Sequence, residues 1–182
     1  MTTTKWSLDP MHSEIQFKVK HLMISTVTGG FNKFTGTVET DGDDFTTAKV
    51  QFVADINSIN TNNEHRDQHL KNADFFEIEK YPILEFSGKS MEKIDDENYK
   101  LHGELTLKGV TKALSLDVEF GGITQDPWGN TRSGFSVNGK INRKDFGMEF
   151  NAVGETGGLL LGEEIKLMAN AEFVKELAIV EA

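Results

Sequence analysis

The chain has no cysteine, which excludes disulfides, thiolate metal sites and cysteine nucleophiles. Aromatic polar groups are scarce as well: 2 Tyr and 2 Trp stand against 13 Phe. Aromatic surface with so few hydroxyls suits a dry core or an apolar cavity better than a hydrogen-bonding sugar cleft. Positive charge is also in deficit. Against 29 Asp plus Glu there are 19 Lys plus Arg, giving a formal charge of −10. No basic stripe is visible along the sequence, so nucleic acid is not an expected partner. No window approaches the roughly 18 apolar residues of a membrane-spanning helix, and the chain is not expected to be membrane-integral. MTTTKWSLDP has neither the basic start nor the apolar run of a secretion signal. The expected location is therefore cytoplasmic, or secreted or periplasmic if a signal has been removed. Gly-x-Ser-x-Gly elbows, P-loops and dinucleotide fingerprints are missing too.

What is present is alternation. Across 182 residues, read as one domain over 1–182, apolar and polar side chains take turns in stretch after stretch. The organising stretch is Ser13 to Val38. Ile15, Phe17 and Val19 alternate with Gln16, Lys18 and Lys20, and His21 continues the apolar parity. Gly29-Gly30 breaks the pattern before a second strand with Phe31, Phe34, Gly36 and Val38. Lys5 to Asp9 reads as a short strand of its own, with Trp6 placed to plug one end of a barrel. Val50, Phe52, Ala54 and Ile56 form the next apolar face.

Asn63 to Asn72 lacks β-branched residues and suits a short polar surface helix, with Phe75 and Phe76 anchoring its far end. Alternation then returns at Tyr81–Lys89, Leu101–Leu107, Leu114–Phe120, Phe135–Ile141 and Ile165–Phe173. The Gly157 to Gly162 run follows no strand-to-helix turn and reads as a flexible loop. The expected fold is all-β, an eight-stranded antiparallel barrel with one short helix inserted after the fourth stretch. Small inward residues (Gly36, Ala54, Gly103, Gly139, Ala169) are expected to leave room inside, and eight strands are wide enough to hold one slim ligand. The inward parity nominates Phe17, Val19, Phe31, Phe34, Phe52, Ala54, Phe86, Leu105, Leu116, Phe135 and Val137 as the lining of that pore.

Few residues carry chemistry. His65 and His69 lie four apart on the helix, but Arg66 follows the first of them and no third ligand is near, so no metal or other cofactor is expected. Arg66 and Asp67 read as a structural ion pair holding the helix to the barrel. Carboxylates fall mostly in turns and on the polar parity, where they make a solvated exterior, and no catalytic residue is assigned. His21 and Arg143 stand apart because both extend an apolar parity. They are either satisfied polar residues at strand ends or members of a cavity mouth that meets a polar or anionic head group.

Several segments, in order, resemble the YceI-like family, the lipocalin-like polyisoprenoid-binding proteins. They are W-S-L-D and H-S-E-I-Q-F-K-V-K-H-L, then G-G-F-N-K-F-T-G, the T-N-N-E-H-R-D-Q-H-L-K-N-A-D-F-F run and Y-P-I-L-E-F. G-E-L-T-L-K-G-V-T-K, I-N-R-K-D-F-G and L-G-E-E-I-K-L follow. Each is weak alone, whereas their order and spacing together are specific. The resemblance implies a lipocalin-like barrel with an apolar internal pore, a long-chain isoprenoid or similar amphiphilic lipid as ligand, and frequent homodimers. Its motif positions include His12, His21, Arg66, Asp67, Arg143 and Asp145.

The expected function is binding of a polyprenyl phosphate or isoprenoid quinone for storage, transport or sequestration, without catalysis. A chain of about forty carbons at ~0.3 kcal/mol per heavy atom would gain on the order of 12 kcal/mol, or nanomolar affinity. The alternatives are a small-molecule isomerase or hydrolase using the cavity mouth, and a solid-cored interaction domain.

Overall fold

Pro10 interrupts the first long strand. It has no N–H to give to a ladder, so β1 (Thr3–Leu8) stops and a single 3-10 turn, Pro10–His12, intervenes before β2 (Glu14–His21). The Asp9 carboxylate caps that turn by accepting from the Met11 N–H at 3.0 Å. A similar break at Asn32–Lys33 separates β3 (Ser25–Phe31) from β4 (Phe34–Asp41). The third long strand is split into β5 (Asp44–Asp55) and β6 (Ile59–Asn60). The helix α1 (Glu64–Leu70) follows, and then β7 (Ile83–Lys93), β8 (Asn98–Leu107), β9 (Val110–Gln125), β10 (Thr131–Asn142) and β11 (Leu161–Lys175) complete the order. The computed structural model describes residues 2–150 and 161–177.

Pairing shows that the fragments are halves of staves. β11 pairs antiparallel with β1 at residues 173–175 and with β2 at residues 161–170, so β1 and β2 run end to end along one partner. β3 pairs with β2 and β4 with β1 in the same way, and β6 and β5 lie beyond them. From β5 the order continues through β7, β8, β9 and β10 back to β11. The result is a closed antiparallel barrel of eight long staves with one short helix. Lys5–Asp9, expected as a separate strand, is the first half of the opening stave. The helix therefore comes after the third stave, although it follows the fourth alternating stretch. Of the glycine run read as a loop, residues 157–160 lie outside the described residues, and Leu161 and Gly162 belong to β11.

The small inward residues leave room only in part: Gly36 and Ala169 lie on the cavity, whereas Ala54, Gly103 and Gly139 do not. At Gly139 the side chain of Leu116 fills the place a Cβ would occupy, and at Gly103 the Phe86 ring approaches in the same way. These two glycines admit larger neighbours from the adjacent strand instead of leaving space. One end of the barrel is plugged. Trp6 is fully buried there, its Nε1–H donating to Thr40 Oγ1 at 3.3 Å. Its ring meets Phe45 at 5.4 Å, and Phe45 in turn meets Phe120 and Phe135, each at 5.1 Å. Offset and edge-on contacts of this kind add attraction beyond the area they bury.

Candidate functional site

Above the aromatic plug lies a cavity of about 440 Å³, within the ~300–1,000 Å³ range of small-molecule pockets. Phe45, Phe135 and Phe173 close its floor. Along the walls the apolar side chains of β2, β5, β10 and β11 are only half-buried, among them Phe17, Val19, Val50, Phe52, Val137 and Leu167. They share the inward parity of fully buried neighbours, so what they are exposed to is the cavity.

Phe17, Val19, Phe31, Phe52, Phe86, Leu105, Leu116, Phe135 and Val137 line this space, as do His21 and Arg143. Phe34 and Ala54 do not, and the expected lining is corrected there. Ala54 is fully buried, and its single methyl is covered by its neighbours before it reaches the cavity. Phe34 follows the Asn32–Lys33 break, where its ring lies 6.1 Å from that of Phe52 and faces a separate shallow recess beside Gly30 and Asn60.

The end opposite the plug is built from α1, the end of β2, the start of β11 and the turn after β10. Its polar residues on the cavity are His21, Thr61, Arg66, His69 and Arg143, joined lower down by Gln16 and Gln51. No carboxylate lines the cavity among the described residues. Arg143 is 3% exposed, and among the described residues it is held by carbonyls rather than by an acid. Its Nε donates to Gly162 O at 2.8 Å, and its Nη1 to Met148 O at 2.7 Å and Phe150 O at 2.8 Å. Burial lowers its pKa, and Glu163, engaged by Lys144 at 2.8 Å, opposes this only at longer range. Arg143 is thus both a fastening for the rim and a positive charge with no directly bonded counter-ion among the described residues.

Arg66 is differently placed. Its Nε donates to Thr61 Oγ1 at 2.8 Å and its Nη2 to Thr61 O at 2.6 Å, while Nη1 has no partner among the described residues. The expected Arg66–Asp67 ion pair is absent. Asp67 accepts instead from the N–H and hydroxyl of the buried Thr61, so both residues fasten α1 to the barrel through one threonine. Asn63 caps the helix by accepting from the Arg66 N–H at 3.0 Å.

The two helix histidines part company. His65 is exposed, whereas the His69 ring sits edge-on to Phe75 and Phe150 at 5.1 and 5.0 Å, with Nε2 2.9 Å from Asp74 Oδ2. Among the described residues, one trio stands close enough together to hold a metal: Asp9, His12 and Glu172. Arg132 already supplies positive charge there, with Nη1 2.8 Å from Asp9 and 3.0 Å from Glu172, and Nε 2.7 Å from Asp126. The motif positions therefore separate. His21, Arg66 and Arg143 meet the cavity, His12 joins the Arg132 brace, Asp67 holds Thr61, and Asp145 is exposed on the turn after β10. His69, Met148 and Phe150 were missed by the sequence reading. The first looked like a surface helix residue, and the others lie in a stretch with no periodicity to read.

A closed eight-stave barrel around an apolar pocket, with Arg66 and Arg143 at one end of it, is a lipocalin-like architecture. The chain belongs to the YceI-like family, whose domain matches residues 6–173. A UPF0312 protein of Staphylococcus aureus (strain N315) is 43% identical over 171 residues, covering 93% of this chain and 97% of its own. The solved YCEI protein of Campylobacter jejuni is 36% identical, with a TM-score of 0.75 over 88% of this chain and 91% of its own. A polyisoprenoid binding domain from Saccharophagus degradans shares the fold at 16% identity and a TM-score of 0.71, over 94% and 98% of the two chains.

Proposed function

We propose that the barrel binds one long-chain amphiphilic lipid, an isoprenoid such as a polyprenyl phosphate or quinone, with its tail in the cavity and its head at the rim. The observation that carries this reading is a cavity of about 440 Å³ with an apolar wall and no carboxylate among its described lining residues, inside a chain of net charge −10. Apolar burial supplies the affinity, and the pocket's few polar groups orient the ligand. At the rim, the Nη1 of Arg66 is a donor without a partner among the described residues and suits a head group, and the buried charge of Arg143 favours a head that carries negative charge. Use of the same fold as a polyisoprenoid binding domain in Saccharophagus degradans supports the reading. Storage, transport or sequestration, without turnover, is the role such binding serves.

One observation favours the enzymatic alternative. His69 with Asp74 is an oriented imidazole at the rim, the base with a partner that proton transfer requires. Its ring is clasped by Phe75 and Phe150, however, and no hydrogen bond joins it to a hydroxyl among the described residues. Organic extraction of the purified protein followed by mass spectrometry separates the readings. Binding predicts about one long-chain lipid per barrel, from the source cells or after loading. Failure to take up either polyprenyl phosphate or isoprenoid quinone would sink it.

A further inference from the structure

The turn between β2 and β3 breaks a local rule. Leu22, Met23 and Ile24 are 43, 56 and 84% exposed, and the first two hold φ angles of 51° and 59°. Left-handed backbone disfavours large side chains, and three apolar ones in a row on a solvated tip gain nothing for the fold. The turn stands on the cavity rim, since the Ile24 N–H donates to the carbonyl of His21 at 3.2 Å.

Below it, the strand register gathers positive charge. Lys140 of β10 lies directly opposite Lys166 of β11, and Lys166 lies directly opposite Lys18 of β2. Lys20, the next outward residue on β2, continues the row toward the turn. Like charges set directly across a ladder destabilise it. None of these four lysines is in an ion pair among the described residues, although six other lysines are. Glu163 beside the row is engaged by Lys144, and Asp117, diagonal to Lys140, by Lys100, which leaves Glu164 as the unpaired acidic neighbour among the described residues. The basic row that the linear sequence did not show is thus assembled by pairing, within a chain of net charge −10.

We propose that this end of the barrel docks on an anionic bilayer surface, with the Leu22–Ile24 turn entering the acyl boundary and Lys18, Lys20, Lys140 and Lys166 meeting lipid phosphates. Docking rests on the lipid-binding reading for its purpose, because a water-insoluble ligand must pass between a bilayer and the cavity rim. The dimensions agree. Lys18 lies three residues below His21, or about 10 Å along the strand, so the row ends near the plane the tip would enter. The field of an anionic surface reaches about as far, with a Debye length of ~8 Å at physiological salt. A second copy fits less well. Three side chains fall far short of the ~800 Å² per partner that stable dimers bury, and a symmetric pairing would set the lysines against each other.

Co-sedimentation with phosphatidylcholine–phosphatidylserine vesicles and with pure phosphatidylcholine vesicles tests this, using lipid-stripped protein. The mixed vesicles should bind more protein, and less as salt rises. Lys166→Gln should weaken that binding about fivefold while raising the melting temperature, because it also removes the Lys18–Lys166 repulsion. Met23→Ser with Ile24→Ser should weaken it tenfold or more, and Trp128→Ser, at the plugged end, should not change it. Ile24→Trp placed in a Trp128→Phe background should shift its emission to the blue when vesicles are added.

Equal binding to both vesicle types, or loss with Trp128→Ser instead of the tip variant, would overturn the proposal. So would a dimer that the tip variant dissociates in the absence of vesicles. Cavity loading is read separately by extraction. A barrel that loads lipid from detergent yet binds no vesicles refutes docking alone, whereas one that docks but never loads supports docking and refutes the cavity reading.

Discussion

Phe52 bears on ligand affinity more than on the stability of the empty barrel, because it is half-buried and faces the cavity rather than a packed neighbour on every side. Phe52→Ala is expected to weaken affinity for a lipid analogue about ten- to a hundredfold, from the ~1.5–3 kcal/mol that burying a phenyl ring is worth. Titration by fluorescence measures it. Lys18→Ala, on the outward parity, should leave that solution affinity unchanged. Arg132 acts at the same scale but on stability. Its guanidinium, helped at Asp9 by His12, holds Asp9 and Asp126 down to pKa values of about 2 from an ordinary 3.8. A lowered folded-state pKa stabilises fully above the unfolded value, and that stability is lost as pH falls through the folded one. The melting temperature should therefore drop between about pH 4 and pH 2. Thermal melts of Arg132→Gln should show a lower temperature at neutral pH and a flatter acid limb.

Between elements, the close approach of Gly139 on β10 and Leu116 on β9 sets how tightly neighbouring staves meet. Gly139→Ala is expected to cost about 1–3 kcal/mol, the range for forcing an extra carbon into a filled site. Leu116→Val should recover part of it, and chemical denaturation of the four proteins in that cycle reads the coupling. The same contact shows where parity stops being informative. Alternation reported that Gly139 points inward, but only the neighbouring strand decides whether a small inward residue leaves space or admits a larger side chain. Stave breaks were legible in part. Asp9-Pro10 carries a missing N–H that anyone can read, whereas nothing in the residues themselves says that β1 and β2 run along the same partner.

At the scale of the whole molecule, a ligand that fills the cavity binds only the closed barrel and must stabilise it. At a hundredfold excess over its dissociation constant the gain is about 2.7 kcal/mol, and the melting temperature should rise with lipid concentration. Calorimetry of stripped and reloaded protein checks this. A melting temperature indifferent to added lipid would indicate that the cavity stays empty.

The sequence by itself determined the fold class, the inward faces of the staves and the position of the helix, because period two and capping chemistry are properties of neighbouring residues. It also made the interior apolar, through Phe17, Phe52, Phe86 and Phe135. Tertiary structure alone decided the rest. It set Phe34 outside the cavity and turned His69 toward it, and it gave Arg66 and Asp67 one shared threonine in place of an ion pair. It also lined up Lys140, Lys166 and Lys18, which lie on three strands far apart in the chain. The physical reason is common to all of these. A side chain's parity is local, but its neighbours across a ladder are set by register and barrel closure, and these follow from the burial of the whole sheet at once.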